Sequence, residues 1–277
     1  MSAAVALIDV WDIDTFDADL RGDLECHADL IRDYMLTSRW QWLEREASDR
    51  RMPYPENPYA GEFLAVTEYM MGLMEQRTIR AWHYTRMTDD EIAVLRRDGI
   101  HLSTLDAIRV RLAAQVAAGS FSQDVANRLF ADSPFQSDQL GSRSSKFWMV
   151  SHPIDVEDSG VELLLESWGG EAAYFWQRDE ALQELLKGIG RPRVLEIAMP
   201  LVHSRHCYSA AEAVVATYGR TLGCDPDKKA FGLYTYQPLG PEHLLTIHSE
   251  GDADYLAMGR GYPERFGDLN LTRWAQS

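Results

Sequence analysis

Long apolar runs are missing. No stretch of the 277 residues approaches the ~18–20 apolar residues that a membrane-spanning helix needs. The short apolar opening, Met1 to Val10, has no basic residue before it, and acids crowd it at Asp9, Asp12 and Asp14, unlike a secretory signal. Cysteine is scarce. Cys26, Cys207 and Cys224 are odd in number and far apart, which argues against a disulfide framework and for a reduced, cytoplasmic setting without a membrane partner. Positive charge is in deficit, with 27 Lys and Arg against 43 Asp and Glu and a net charge of −16. Such a chain repels nucleic acid and anionic membranes except at a local basic patch. Arg77, Arg80, Arg86, Arg96, Arg97, Arg109 and Arg111 could form one, or could simply be solvated helix faces.

Motifs are missing too. The chain has no G-x-x-x-x-G-K loop, no G-x-G-x-x-G, no H-E-x-x-H, no G-x-S-x-G and no C-x-x-C. Those absences weigh against P-loop ATP hydrolysis, a Rossmann dehydrogenase and a zinc protease. His203-Ser204-Arg205-His206-Cys207 holds three metal-ligating residue types, but its spacing is not that of a known site and no partner cluster accompanies it, so no metal is expected. His152, before Pro153, reads as a strand-end structural histidine.

What is present is a chain of mixed helices and strands without regular alternation, which predicts an α+β fold rather than a doubly wound sheet. Residues 1–76 read as a helical N-terminal region and 77–277 as an α+β domain. Apolar spacing predicts one helix over Asp17 to Glu46. Asn57-Pro58 predicts the start of another, with asparagine as cap and proline at the first helical position. Ser209 with Glu212 reads as a capping box. Strands are expected at Lys146–His152, Val194–Met199, Leu233–Gln237 and His243–His248, and a functional loop over Asp132–Ser145.

The organising stretch is Ile79 to Thr104. A strand ends in His83, Tyr84, Thr85 and Arg86. Thr88 and Glu91 then form a capping box. Asp89 and Asp90 suit the positive end of the helix dipole. Ile92 and Leu95 give its apolar stripe, and Gly99 stops it. Ile100 and Leu102 alternate with His101 and Ser103 as a short second strand. Trp168-Gly169-Gly170-Glu171 is the other stretch of interest. The glycines permit a sharp turn or close approach to a ligand. Beside Tyr174, Phe175 and Trp176, Glu171 could bond a hydroxyl or stabilise positive charge; it could equally just open the next element.

The stretch His83-Tyr84-Thr85, helix, Gly99-Ile100, Leu102-Ser103-Thr104 resembles the opening motif of ADP-ribosyltransferase-fold proteins, over some 25 residues. The resemblance implies a mixed, mostly antiparallel sheet core of that type and NAD as a substrate. His83 would contact the nicotinamide ribose, and Tyr84 and Thr85 would help to hold NAD. Arg86 and Arg143 would neutralise its pyrophosphate. Tyr174, with Trp148 behind it, would stack on nicotinamide. The catalytic glutamate would be Glu171, Glu196 or Glu242; the latter two suit the family order, and Glu171 has the better local chemistry. The implied activity is ADP-ribosyl transfer to a protein or nucleic-acid acceptor, as in toxins and defence effectors, with an inhibitory partner protein in some cases. The alternatives are an inactive binding or regulatory protein of the same fold, and an unrelated hydrolase or nuclease. The last would need a metal or a His–carboxylate pair within hydrogen-bond reach.

Overall fold

A computed structural model describes residues 7–47, 55–136, 143–170, 173, 177–226 and 229–260. In chain order the elements are β1 (Leu7–Ile8), α1 (Ala18–Cys26), α2 (Ala28–Ala47), α3 (Ala60–Glu75), β2 (Thr78–Met87), α4 (Asp89–Asp98), α5 (Leu105–Ala117) and α6 (Gln123–Ala131). There follow β3 (Phe147–Val150), α7 (Ser159–Glu166), α8 (Glu180–Lys187), β4 (Arg191–Pro200), α9 (Cys207–Thr221), β5 (Gly232–Thr235), β6 (Leu244–Ser249) and α10 (Ala253–Leu256). The fold class is α+β, as expected. No described helix is long and apolar enough to cross a membrane.

The chain divides into two compact units. Among the described residues, the first holds 7–80 and 200–231 and the second 81–199 and 232–260. Within the first unit, α9 packs with α2 and α3. Local composition explains this. Ala210, Ala211, Ala213 and Val214 on α9 are fully buried, and such small side chains let helices approach closely. Gly219 continues that surface, and Met35 of α2 fills the space a side chain would need. Arg77 closes the unit with a bidentate pair to Asp17 at 2.7 and 2.9 Å. This pair holds the Asp17 carboxyl below its usual range. Three sequence expectations change here. The helix over Asp17–Glu46 is broken at His27, whose Nδ1 turns back to the Asp23 carbonyl. Asn57 caps the turn before α3 rather than the helix, accepting from Tyr59 N and donating to Ser38 Oγ and the Tyr34 carbonyl. Ser209 lies inside α9, which begins at Cys207 without a side-chain cap.

The second unit is built on strands in the order β5-β3-β2-β4-β6. The pairs β2–β3, β3–β5 and β4–β6 are antiparallel. In the first unit, β1 pairs in parallel with Thr78 and Ile79, the opening residues of β2. Alternation along β2 divides its side chains between two faces. Trp82 and Tyr84 join Val161 and Leu165 of α7, Val194 of β4, Tyr255 and Met258 in one buried cluster. His83 and Thr85 point the other way. The second cluster gathers Ile108, Leu112, Leu129, Trp168, Leu182 and Leu186 from α5, α6, α8 and the turn after α7.

The strand expected after Gly99 is reduced to isolated bridges, Ile100 to Leu239 and Ser103 to Lys146. Gly99 itself sits at φ 83°, and a Cβ there would lie 2.2 Å from the Leu239 carbonyl oxygen. Both the left-handed conformation and the close approach require glycine. Gly99→Ala is accordingly expected to destabilise the protein by about 2 kcal/mol or more. Urea denaturation measures this, and a change within about 0.5 kcal/mol, the ordinary surface range, would contradict the assignment.

Candidate functional site

The site is assembled around the helix that follows β2. Thr88 caps α4 through its hydroxyl, which accepts from Glu91 N, while Glu91 Oε2 accepts from Thr88 N at 2.9 Å. That reciprocal box is legible in the sequence. Its second use is not. The same Oε2 accepts the indole N–H of Trp168 at 2.8 Å, and Oε1 accepts Nε of Arg111 at 2.8 Å. Arg111 Nη2 also stands 2.8 Å from Oε1 but is misdirected for a hydrogen bond. That nitrogen is buried with its donor capacity unspent. The guanidinium stacks 5.0 Å above the Trp168 ring.

Electrostatics follow from this geometry. Burial pushes the Glu91 carboxyl upward, but the Arg111 charge and the hydrogen bonds from Thr88, Trp168 and Arg111 outweigh it, so the group is held below its usual range. It is an anion inside the unit, paired and fully bonded.

His83 lies on the face of β2 opposite Tyr84. Its Nδ1 is 2.8 Å from the Trp148 carbonyl, and its ring packs 4.3 Å from that of Phe147. A carbonyl can only accept, so Nδ1 carries the proton and Nε2 presents a lone pair. Among the described residues Nε2 has no hydrogen-bond partner. Part of the residue reaches solvent, yet the ring is crowded enough for burial to dominate. Burial lowers its pKa and the Arg111 charge lowers it further, against the Trp148 bond, to about 4. The imidazole is therefore neutral at pH 7, a hydrogen-bond acceptor beside a guanidinium.

The other predicted residues are placed as follows. Tyr84 is buried, and its hydroxyl donates to the Ile154 carbonyl and accepts from Ile154 N; burial pushes that phenol upward. Thr85 is buried. Arg86 donates Nε to the Ile189 carbonyl at 2.9 Å. Arg143 is partly buried. Trp148 points away from Phe147 by strand alternation and packs 4.7 Å from the Tyr234 ring. Glu171 and Tyr174 lie outside the described residues. The turn leading to Glu171 has Gly169 and Gly170 both at positive φ, and Trp168 is tied to Glu91. Glu196 shares the parity of Val194, which puts it on the Tyr84 face of the sheet, away from His83. There it sits 3.3 Å from His248 Nε2. Glu242 is exposed beside His243. Among the described residues no three metal-ligating side chains converge; His206 bonds Ser204, and Cys207 faces the Leu201 carbonyl.

Comparison with protein-family models, with curated proteins and with solved structures found no match. The site thus stands on its own geometry: His83 packs against Phe147 and feels the Arg111 charge, and Glu91 fixes Arg111. Arg111 and the double role of Glu91 escaped the sequence. A spacing of twenty residues between them carries no local signal, although the pairing of an acidic helix start with a basic residue on the next helix is a weak one.

Two titrations test the electrostatics. In an NMR titration the His83 ring is expected to remain neutral down to about pH 5, with its proton on Nδ1. A midpoint near 6.5 would contradict burial of the ring. For Glu91 the folded pKa lies below the unfolded one, so its contribution to stability is full above the ordinary value of 4.5 and is lost as pH falls through the folded pKa. Removing it leaves Arg111 buried without its partner. Glu91→Ala should therefore cost about 3–5 kcal/mol at pH 7 and weaken the acid dependence. Equal slopes with pH in both proteins would contradict the ion pair.

Proposed function

We propose that the protein is an ADP-ribosyltransferase-type enzyme that cleaves NAD and transfers ADP-ribose to a macromolecular acceptor, in the manner of a toxin or defence effector. The observation that carries this reading is His83. It is held neutral, with Nδ1 locked to a carbonyl and Nε2 open, so it can accept a hydrogen bond from a ribose hydroxyl. Its position in the second half of β2, four residues before that strand ends at Met87 and ahead of a capped helix and a Gly–Ile pair, carries the resemblance.

In this reading the bond between nicotinamide nitrogen and ribose C1′ breaks. The electron pair leaves with nicotinamide, and C1′ passes through an oxocarbenium-like state. An acceptor nucleophile then bonds C1′ and gives up its proton. A ribose hydroxyl bonded to His83 Nε2 becomes more electron-rich, which favours that state. The partly exposed Arg111 guanidinium supplies positive charge for an anionic group of NAD. Glu171 is the proposed carboxylate opposite C1′. The turn before it is anchored by Trp168, whereas Glu196 is on the other face of the sheet and Glu242 is exposed. Tyr174 would stack on nicotinamide.

A second reading rests on a different observation. Glu196 and His248 are partly buried and 3.3 Å apart, the His–carboxylate pair that a hydrolase would use as a general base.

Nicotinamide release from NAD distinguishes the readings. Wild type should release nicotinamide. His83→Ala should lose about tenfold or more in kcat/KM, the value of one charge-free hydrogen bond. Glu171→Ala should lose about 10²–10³-fold in kcat. NAD binding without release would identify an inactive binding protein. Absence of both would remove the NAD reading, and a hydrolytic activity lost in Glu196→Gln would establish the second.

A further inference from the structure

A cleft of about 650 Å³ opens in the second unit beside the first turn of α4. It lies between α4 and the β4–β6 pair, and none of the residues of the His83 site lines it. Its walls carry Arg96, Arg191 and Arg193. Arg97 also reaches it, but that guanidinium is spent on Asp98 through two hydrogen bonds.

Arg193 is the unusual member. Its side chain is only 4% exposed. Nη1 is held by Ser249 Oγ at 2.8 Å, and Nε faces the Met87 carbonyl at 3.4 Å. A buried guanidinium needs compensating charge. The counter-ion is Asp89, which Arg191 shares at 3.1 Å. Two guanidiniums thus share one carboxylate, which is itself 77% exposed. Among the described residues Arg96 makes no ion pair or hydrogen bond. The remaining acid is Asp252, whose carboxylate accepts Ser249 N at 3.0 Å. Three guanidiniums against two carboxylates leave the cleft net positive in a chain of net charge −16. The rest of the lining includes apolar Ile92 and Ile247.

We propose that this cleft binds the phosphate group of a small organic phosphate. Planar guanidiniums lining one cleft suit a phosphate's oxygens. Arg193 is already immobilised by Ser249 and Asp89, so little side-chain entropy remains to be lost on its account. The volume falls within the range of small-molecule sites and exceeds what an inorganic ion needs. The apolar side chains give the organic part a surface.

The probes are ribose 5-phosphate and inorganic phosphate, titrated calorimetrically into the full chain. Wild type should bind ribose 5-phosphate more tightly than inorganic phosphate, and salt should weaken both. Arg96→Ala and Arg191→Gln should each weaken binding about tenfold. His83→Ala should leave it unchanged, which separates this site from the proposed NAD site. Arg96 is exposed on α4, so Arg96→Ala keeps the test decisive if Arg191→Gln fails to fold. No heat at about 10 mM ribose 5-phosphate, equal binding in wild type and Arg96→Ala, or loss of binding in His83→Ala would overturn the proposal.

Discussion

Within the second unit, the Glu91 carboxylate joins three segments far apart in the chain. One oxygen closes the cap of α4 and holds the Trp168 indole, and the other holds Arg111 on α5. A carboxylate removed from water is costly unless its lone pairs are taken up. Here they are, by donors that each need the anion in return. Trp168 is 1% exposed and sits in the cluster formed by α5, α6 and α8. Its N–H would be an unsatisfied donor without Glu91. The polar bond therefore orients the apolar cluster as well as the turn that follows Trp168.

The same bond governs the electrostatics around His83. Because Glu91 fixes the Arg111 guanidinium, positive charge stands permanently near the imidazole and adds to burial in keeping it neutral. A helix cap and a ring on a neighbouring strand are thus coupled through one arginine. The period-two geometry of β2 then assigns roles by face. Trp82 and Tyr84 go to packing against α7, and His83 goes to the opposite side, where Phe147 and the Trp148 carbonyl receive it. On β4 the same rule places Glu196, with His248 of β6 beside it, away from His83, so the two sets of titratable groups are separated by the sheet itself.

Charge is distributed unevenly. The acidic excess of the chain coexists with a positive cleft because Asp89, favoured at the helix N-terminus, is outnumbered there by the arginines of β4 and α4. Arg191 and Arg193, two residues apart on β4, share one face of the strand, the first half-exposed and the second buried. Their convergence on Asp89 depends on where the end of β2 and the start of β4 meet.

Local signals in the chain determined much of this. The Thr88–Glu91 box and the glycine stop at Gly99 are short-range physics, and each is visible because its partners lie within a few residues. The α+β class followed from the unalternating order of elements. The breaks in that reading have equally physical causes. His27 interrupts a continuous apolar pattern through a bond to Asp23, and Asn57 is diverted to Tyr34 and Ser38 by packing of α2 on the turn before α3. What only the tertiary structure decided are the pairings across long separations: α9 joining the N-terminal helices, Glu91 meeting Trp168 and Arg111, and Arg191 and Arg193 sharing Asp89. No spacing rule encodes these, because burial and desolvation, rather than local propensity, select which charged groups must meet.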